Sequence, residues 1–178
     1  MTSSVLLGPW LSYAIRKRKE VSVLEFFSYR SVIAELSAVE RDTAIWQLCS
    51  LASDQETTLD AREVYEKALS REHAMGTAIE EGVAVPHARL PFLRKPFVLF
   101  GRSSHGIEWN APDGKLTHFV FLILTPDHGE DFQVQILSSI ARAMSINHTR
   151  HEIISAKDKE DLWSALNKVL ASQIIARK

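Results

Sequence analysis

The segment that most clearly indicates chemistry is EEGVAVPHARLP, residues 80–91, in which a histidine follows a proline directly. His87 comes after Pro86 at the end of a short apolar run, and Arg89 lies two positions further on. An imidazole with an unperturbed pKa of about 6.5 is largely neutral at cellular pH and keeps a lone pair on one nitrogen. Such a ring is suited to nucleophilic chemistry.

Two residues predict a stiff backbone before this histidine. Gly82 permits a backbone conformation or a close approach that a Cβ atom would obstruct. Pro86 fixes its own φ and pushes Val85 into an extended conformation. We therefore expect the imidazole to be presented from a rigid strand end, which suits a nucleophile whose position must be controlled closely. Spacing alone favours a structural histidine over a catalytic one.

The other histidines and the cysteine predict neither a metal site nor a reactive thiol. His148 and His151 are spaced like helix neighbours, as in a metal-binding pair, but no third ligand has matching spacing. Cys49, the single cysteine, excludes an internal disulfide and fits a reducing compartment. Because Cys49 falls in an apolar helical run, we predict that it is a buried packing residue.

Three short apolar runs in the middle of the chain predict β-strands. They are GVAVPH from residue 82, PFVLFGRS from residue 96 and THFVFLILTP from residue 117. Residues 119–124 are apolar at every position, so we expect this strand to be covered on both faces. The stretch WNAPDGKL, residues 109–116, has the composition of a turn.

Helices are predicted on either side of these strands. Residues 31–53 contain two apolar stripes at helical spacing, of which the second is clearer. Asp60 and Glu63, three residues apart, form a variant of the capping box at the start of the next helix. Two further amphipathic helices are predicted over residues 131–144 and from residue 158 onward. This order predicts a single-domain α/β sandwich with a mixed β-sheet flanked by helices.

The composition agrees with one globular domain. The 178 residues are 46% hydrophobic and 24% charged, which is enough apolar material for one core of ordinary size. The formal net charge of -1 provides no electrostatic reason to expect nucleic acid as a partner.

Residues 1–19 form a separate N-terminal segment, in which the apolar run SVLLGPWLSYAI precedes the basic cluster RKRK. This order of apolar and basic residues is wrong for a secretory signal. Two interpretations remain open: the last turns of a membrane-spanning helix with the basic cluster on the cytoplasmic side, or an arm that docks on the domain or on a second subunit. The apolar residues 5–15 make a homodimer reasonable. We assign residues 20–178 to the domain itself.

The segment MGTAIEEGVAVPHAR, residues 75–89, resembles the active-site segment of the mannitol/fructose-type enzyme IIA domains of the bacterial phosphotransferase system (PTS EIIA type 2). In that family a turn leads into Gly-(Val/Ile)-Ala-(Ile/Val)-Pro-His and then a small residue. The resemblance continues through PFVLFGRSSHGIEWNAPDGKLTHFVFLILTP, VQILSSIARAM and IISAKDKEDLWSAL. It covers roughly residues 20–172, and it also includes the IIA-like regulatory proteins of the family.

The resemblance implies a phosphoryl-accepting role for His87 and a phosphate-stabilising role for Arg71, which lies in the RE pair of the preceding predicted helix. A guanidinium is a permanently positive, bidentate partner for phosphoryl oxygens. Arg89 is a weaker second candidate, because solvation or pairing with Glu80 or Glu81 also explains it. The family carries no metal or organic cofactor. Its phosphoryl group arrives from the phosphocarrier protein HPr and leaves to an enzyme IIB domain.

One position departs from the family pattern. Family members usually have a second active-site histidine at the start of the helix after the central strand, and the alignment places Gln133 there. A glutamine could still orient His87 or hold a phosphoryl oxygen, but it cannot take a positive charge. Glu130 and Asp131, close by in sequence, would oppose a dianionic phosphoryl group unless they point away.

These features lead to two hypotheses from different classes, both for a cytoplasmic domain. In the first, a phosphoryl-relay domain takes phosphate from an HPr-like carrier onto His87 and passes it to a IIB-type acceptor. In the second, a regulatory IIA-like module senses phosphorylation or binds a partner, as Gln133 and the lack of a IIB or IIC segment suggest. Residues 2–20 resemble the last membrane helix of cation/proton antiporters, some of which carry IIA-like domains. A degenerate domain without phosphorylation is disfavoured because both His87 and Arg71 are present.

Overall fold

The computed structural model describes residues 20–128 and 132–176, which contain eight strands and five α-helices. The strands are β1 (Glu20–Ser22), β2 (Val32–Ile33), β3 (Ala78–Ile79), β4 (Val83–Ala84), β5 (His87–Leu90), β6 (Phe97–Ile107), β7 (Thr117–Pro126) and β8 (Ile174–Ala176). The helices are α1 (Arg41–Gln55), α2 (Ala61–Ala74), α3 (Phe132–Met144), α4 (Asn147–Ile154) and α5 (Lys159–Ala171).

Six of these strands form a mixed central sheet, which confirms the predicted α/β architecture. Their order is β2-β6-β7-β4-β3, and β5 also pairs with β7. The two longest strands, β6 and β7, are antiparallel, whereas β2, β4 and β5 run parallel to their long neighbours. Strands β1 and β8 form a separate antiparallel pair that joins the two ends of the described chain.

The central strand β7 is covered on both faces, as its uninterrupted apolar sequence predicts. Its even-numbered residues from 120 to 124 belong to the apolar cluster that includes α1 and α2. Its odd-numbered residues from 119 to 123 belong to the cluster that includes α3 and α5. All of these side chains are at most 4% exposed, because alternate residues of a strand point to opposite faces of the sheet.

The predicted start of α2 is confirmed at its capping residue. The Asp60 carboxylate accepts a hydrogen bond from the Glu63 backbone N–H at 2.9 Å and begins α2. The prediction of two helical stripes over residues 31–53 is wrong for the first stripe. Val32 and Ile33 instead pair with β6, since β-branched residues fit a sheet well. Helix α4, only eight residues long, was not predicted.

The N-terminal segment, residues 1–19, lies outside the described residues. The two interpretations of that segment, and the division of the chain at residue 19, therefore stay predictions. Among the helices of the described residues, none combines the length and the apolar character that a membrane crossing requires.

Candidate active site

His87 begins a strand, whereas the sequence predicted that it would end one. The apolar run that predicted a single strand is divided into β4 and β5, and both pair in parallel with β7. The division falls at Val85 and Pro86, because proline has no N–H to donate to a sheet ladder. The Pro86 carbonyl still accepts a hydrogen bond from the Ile123 N–H at 2.9 Å. His87 is the first residue of β5 and pairs with Ile123, so its backbone is held by the sheet, and its side chain is buried.

The turn before β4 requires glycine at position 82, as predicted. Gly82 has a φ of +75°, and a Cβ atom there would lie 3.0 Å from the Leu116 carbonyl oxygen. Glu81, which precedes it, also has a positive φ of 66°. The Asp113 carboxylate accepts a hydrogen bond from the Glu81 N–H at 2.8 Å, and this bond holds the pKa of Asp113 below its ordinary value. The turn that leads into β4 is thus hydrogen-bonded to the loop before β7.

The hydrogen bonding of His87 determines which ring nitrogen carries the proton. Nδ1 lies 2.9 Å from the Val85 carbonyl oxygen. A carbonyl oxygen can only accept, so Nδ1 bears the hydrogen and Nε2 keeps the lone pair of the neutral ring. Burial, the largest effect, lowers the pKa of His87; the bond to Val85 and the charge of Glu72 oppose this shift, and Arg71 and Arg89 add to it. The ring is therefore neutral at cellular pH.

One open cavity of about 770 Å³ brings the predicted site residues together. His87, Arg71, Arg89 and Gln133 all line this cavity, although they come from β5, α2 and α3. Gly82 and Pro86 do not line it and act through the backbone. The described residues that line the cavity are Glu63, Glu66, Lys67, Ser70, Arg71, Ala74, His87, Ala88, Arg89 and Gln133.

The last turn of α2 positions Arg71. Its Nη1 atom donates a hydrogen bond to the Met75 carbonyl oxygen at 3.0 Å, and its own carbonyl accepts from the Met75 N–H at 3.2 Å. A cation is favoured at this place because the C-terminal end of a helix carries partial negative charge. The guanidinium has five N–H donors, so the bond to Met75 leaves donors that can bind an anion in the cavity.

Gln133 lies in the first turn of α3 and is oriented by the end of β7. Its Oε1 atom accepts a hydrogen bond from the Thr125 hydroxyl at 3.2 Å. The amide N–H groups of Gln133 are then the atoms that can donate to an anion in the cavity. Glu130 and Asp131 lie outside the described residues, so the expectation that they oppose a phosphoryl group stays a prediction.

Comparisons with known proteins identify the family and the fold of the chain. The family model for the phosphoenolpyruvate-dependent sugar phosphotransferase system, EIIA 2, matches residues 25–169. The chain belongs to this EIIA family. A fructose-specific EIIA component of the phosphotransferase system from Haloferax volcanii is 32% identical over 130 residues, which cover 73% of this chain and 84% of that protein. A nitrogen regulatory protein from Bradyrhizobium diazoefficiens is 28% identical over 144 residues, which cover 81% of this chain and 94% of that protein.

Solved structures show the same EIIA fold. The nitrogen regulatory protein IIA-Ntr from Neisseria meningitidis superimposes with a TM-score of 0.74 at 22% identity, over 80% of this chain and 97% of that one. Enzyme IIA-Mtl, in its complex with phosphorylated enzyme IIB-Mtl from Escherichia coli, superimposes with a TM-score of 0.68 at 16% identity. The superposition covers 82% of this chain and 96% of that one. At these identities the likeness concerns the fold. The predicted family and the predicted α/β class are both confirmed.

Lys67 and Glu72 are charged residues at or next to this EIIA site that were not predicted from the sequence. Lys67 lies one helical turn before Arg71 and lines the same cavity; their i, i+4 spacing on α2 was the available signal. Glu72 is adjacent to Arg71 and is buried. Only the arginine of that RE pair was predicted to belong to the site.

The remaining candidate groups of the EIIA domain do not join the cavity. Cys49 lies buried in the apolar cluster with α1 and α2, and burial raises the pKa of its thiol to about 12. His148 lies 3.5 Å from the Glu152 carboxylate on the surface of α4. Within the described residues, no group of three or more His, Cys, Asp or Glu side chains could hold a metal ion.

Proposed function

We propose that this EIIA domain is a phosphoryl relay, in which His87 accepts a phosphoryl group from an HPr-like carrier and passes it to a IIB-type acceptor. The observation that carries the proposal is the Nδ1 hydrogen bond to Val85, which leaves the lone pair of a neutral ring on Nε2. The ring lines an open cavity together with Lys67, Arg71 and Arg89.

Transfer to Nε2 is a balanced exchange between two imidazole rings. The Nε2 lone pair of His87 forms the new N–P bond while the bond between phosphorus and the donor histidine breaks. The electron pair of the broken bond returns to the donor ring. His87 keeps its Nδ1 hydrogen and its bond to the Val85 carbonyl, so no proton has to move between the rings. The positive charge of a phosphorylated ring passes from the donor to His87.

The charges around the cavity are suited to stabilising a phosphoryl group during its transfer. Phosphoryl transfer is catalysed mainly by positioning and by electrostatic stabilisation of the equatorial oxygens. Arg71 presents a planar guanidinium, and Lys67 and Arg89 add two further positive charges. Glu63 and Glu66 line the same cavity from α2. The described lining thus holds three cations against two carboxylates.

Two similar proteins support an HPr-like donor and a IIB-type acceptor as partners. The multiphosphoryl transfer protein of Escherichia coli is 22% identical over 151 residues, which are 18% of that protein. Enzyme IIA-Mtl, described above, forms a complex with phosphorylated enzyme IIB-Mtl. An HPr-like donor and a IIB-type acceptor are therefore the first partners to test.

Incubation with phosphoenolpyruvate, enzyme I and HPr tests the relay. The protein should gain an acid-labile phosphate, and the His87→Ala variant should gain none. His128→Ala is the matched control, since this histidine is 72% exposed and does not line the cavity; it should be labelled like the wild type. No label on the wild-type protein would overturn the proposal.

A regulatory role is the second candidate, and Gln133 is the residue that favours it. Relatives include nitrogen regulatory proteins, such as the one from Bradyrhizobium diazoefficiens. If the glutamine slows onward transfer, a Gln133→His variant should pass phosphate to a IIB-type acceptor markedly faster than the wild type. Equal rates would remove the reason to assign a regulatory function to this position.

For residues 1–19 we propose the end of a membrane helix of a cation/proton antiporter-like protein, with the EIIA domain on the cytoplasmic side. The motivation is the apolar run followed by the basic cluster RKRK. The reading frame upstream of the Met1 codon tests this idea, because an antiporter-like membrane protein must precede it.

A homodimer formed by the same apolar residues is the competing proposal, and sedimentation of the protein with and without residues 1–19 tests it.

A further inference from the structure

Glu72 is a buried carboxylate that the relay described above does not use. It is 2% exposed and lies in the last turn of α2. Both facts are unfavourable for a negative charge, because the helix C-terminus is itself partially negative and a buried carboxylate requires hydrogen-bond donors. Departures from local preference of this kind are expected where function requires them.

Three donors from other parts of the chain satisfy this carboxylate. The Thr77 N–H donates to Oε1 at 3.0 Å, and the Thr77 hydroxyl donates to Oε2. The indole N–H of Trp109 donates to Oε1 at 3.1 Å. Thr77 immediately precedes β3, and Trp109 follows β6 and is 2% exposed. Glu72 therefore joins α2 to two segments of the sheet layer.

The same hydrogen bonds lead to His87. The Val85 N–H donates to the Thr77 carbonyl oxygen at 3.0 Å, and the Val85 carbonyl accepts from His87 Nδ1 at 2.9 Å. Glu72 thus fixes the N–H and hydroxyl of Thr77, while the carbonyl of Thr77 fixes Val85. A displacement of Thr77 would displace the carbonyl that orients the imidazole.

The carboxylate also restrains Arg71. Arg71 and Glu72 are consecutive, so the bonds that fix Glu72 also fix the backbone from which the guanidinium extends. The turn after α2 is closed by bonds between Arg71 and Met75 in both directions. Arg71 and His87, which line one cavity from two elements, are therefore tied to one buried group.

We propose that Glu72 is a positioning residue, whose buried carboxylate sets the place of Arg71 relative to the imidazole of His87 by bonding to Thr77 and Trp109. This inference rests on the phosphoryl transfer proposed above. The charge of Glu72 acts to raise the pKa of His87, so it also favours the positive charge that the ring carries after phosphorylation.

The first test requires no phosphorylation. Nitrogen-15 NMR of the histidine rings reports which nitrogen carries the hydrogen. Wild-type His87 should be a single Nδ1–H tautomer, and Glu72→Ala should give a mixture of the two tautomers. Glu72→Gln should preserve the wild-type tautomer, because the amide oxygen can accept from Thr77 and Trp109 while the amide nitrogen donates to the Thr77 hydroxyl. A wild-type spectrum in Glu72→Ala would overturn the proposal.

The second test is rapid-quench phosphorylation by phospho-HPr. Glu72→Ala should lower the maximum rate constant about tenfold or more, with the half-saturating HPr concentration unchanged, because misplacement of reacting groups acts on the chemical step. Glu72→Gln should recover most of the rate. Leu166→Ala, a fully buried substitution in α5 on the other side of the sheet, controls for loss of stability and should keep the wild-type rate constant.

Thr77→Val keeps the proposal testable if Glu72→Ala does not fold, since it removes only the hydroxyl donor. It should lower the same rate constant by a smaller factor. Equal losses in Glu72→Ala and Leu166→Ala, or an effect confined to the half-saturating concentration, would contradict the positioning role. If the wild-type protein takes no phosphate, the relay fails, and the tautomer measurement still decides the role of Glu72.

Discussion

Nδ1 of His87 lies 2.9 Å from the carbonyl oxygen of Val85, only two residues earlier in the chain. Because the acceptor is a backbone atom held between β4 and β5, the protonated nitrogen is determined by the course of the main chain. The neighbouring Pro86 maintains that course by interrupting the strand. The reactive nitrogen of the proposed relay is thereby selected before any partner binds.

The burial of His87 makes the stability of the domain depend on pH. Burial lowers the pKa of His87 below its ordinary value of about 6.5. Between the folded and the unfolded pKa values, the unfolded chain binds a proton that the folded protein does not. The free energy of unfolding therefore rises with pH through this window, and the contribution of His87 is lost as the pH falls through it. Urea unfolding at a series of pH values should show this slope in the wild type and a smaller slope in His87→Gln.

The control for this measurement is His148→Gln, since the side chain of His148 is 75% exposed. It should retain the slope of the wild-type protein. Identical slopes in the wild type and in His87→Gln would show that His87 does not contribute to the pH dependence.

Replacement of Arg71 by lysine should slow phosphorylation of His87 despite the retained charge. An ammonium group is a point charge and cannot form the paired hydrogen bonds of a guanidinium. We expect about a tenfold lower rate constant for Arg71→Lys and about a hundredfold lower one for Arg71→Ala. Arg62→Lys, on the exposed surface of α2 outside the cavity, should react at the wild-type rate. Equal rates in Arg71→Lys and the wild type would exclude a bidentate role.

Loss of the Lys67 charge should have a smaller effect than loss of Arg71. Lys67→Met removes one of the cations that line the cavity, and we expect roughly a threefold lower rate constant with a weaker dependence on salt. Phosphorylation by phospho-HPr at several ionic strengths measures both quantities. Lys168→Met, whose lysine is 69% exposed and pairs with Glu152 on α4, should behave like the wild type. A salt dependence unchanged in Lys67→Met would speak against its role.

Substitution of Gly82 by alanine should destabilise the domain more than the same substitution at Gly114. Both glycines have a positive φ, which alone makes alanine unfavourable by about 1–2 kcal/mol. At Gly82 the new Cβ would also lie 3.0 Å from the Leu116 carbonyl oxygen, whereas at Gly114 no atom lies within 4 Å. We expect a further loss of about 1 kcal/mol or more at Gly82 in urea unfolding. Equal losses would mean that the contact relaxes freely.

Much of the fold is predictable from local sequence. The uninterrupted apolar run of β7 predicted a strand buried on both faces, and Asp60 predicted the start of α2, because burial and capping are properties of a few neighbouring residues. The segment around Val32 was interpreted wrongly as helical. Its partner in the sheet, β6, lies far away in the chain, and pairing with it outweighs the local periodicity.

The candidate site likewise contains residues that were predicted from the sequence and residues, such as Glu72, that were not. His87, Arg71, Arg89 and Gln133 were predicted from motif and alignment, and the fold brings all four to one cavity. Glu72 was missed because a glutamate in the last turn of a helix resembles a surface residue.

The sequence by itself determined the family, the apolar framework of the sheet and the backbone constraints at Gly82 and Pro86, since each of these depends on residues close together in the chain. Only the tertiary structure decided which nitrogen of His87 is free to react, and which buried carboxylate holds the turn behind it. Those properties depend on hydrogen bonds that form when α2, β6 and β7 pack together. The bond from Trp109 to Glu72, which joins residues distant in the chain, exists only in the folded domain.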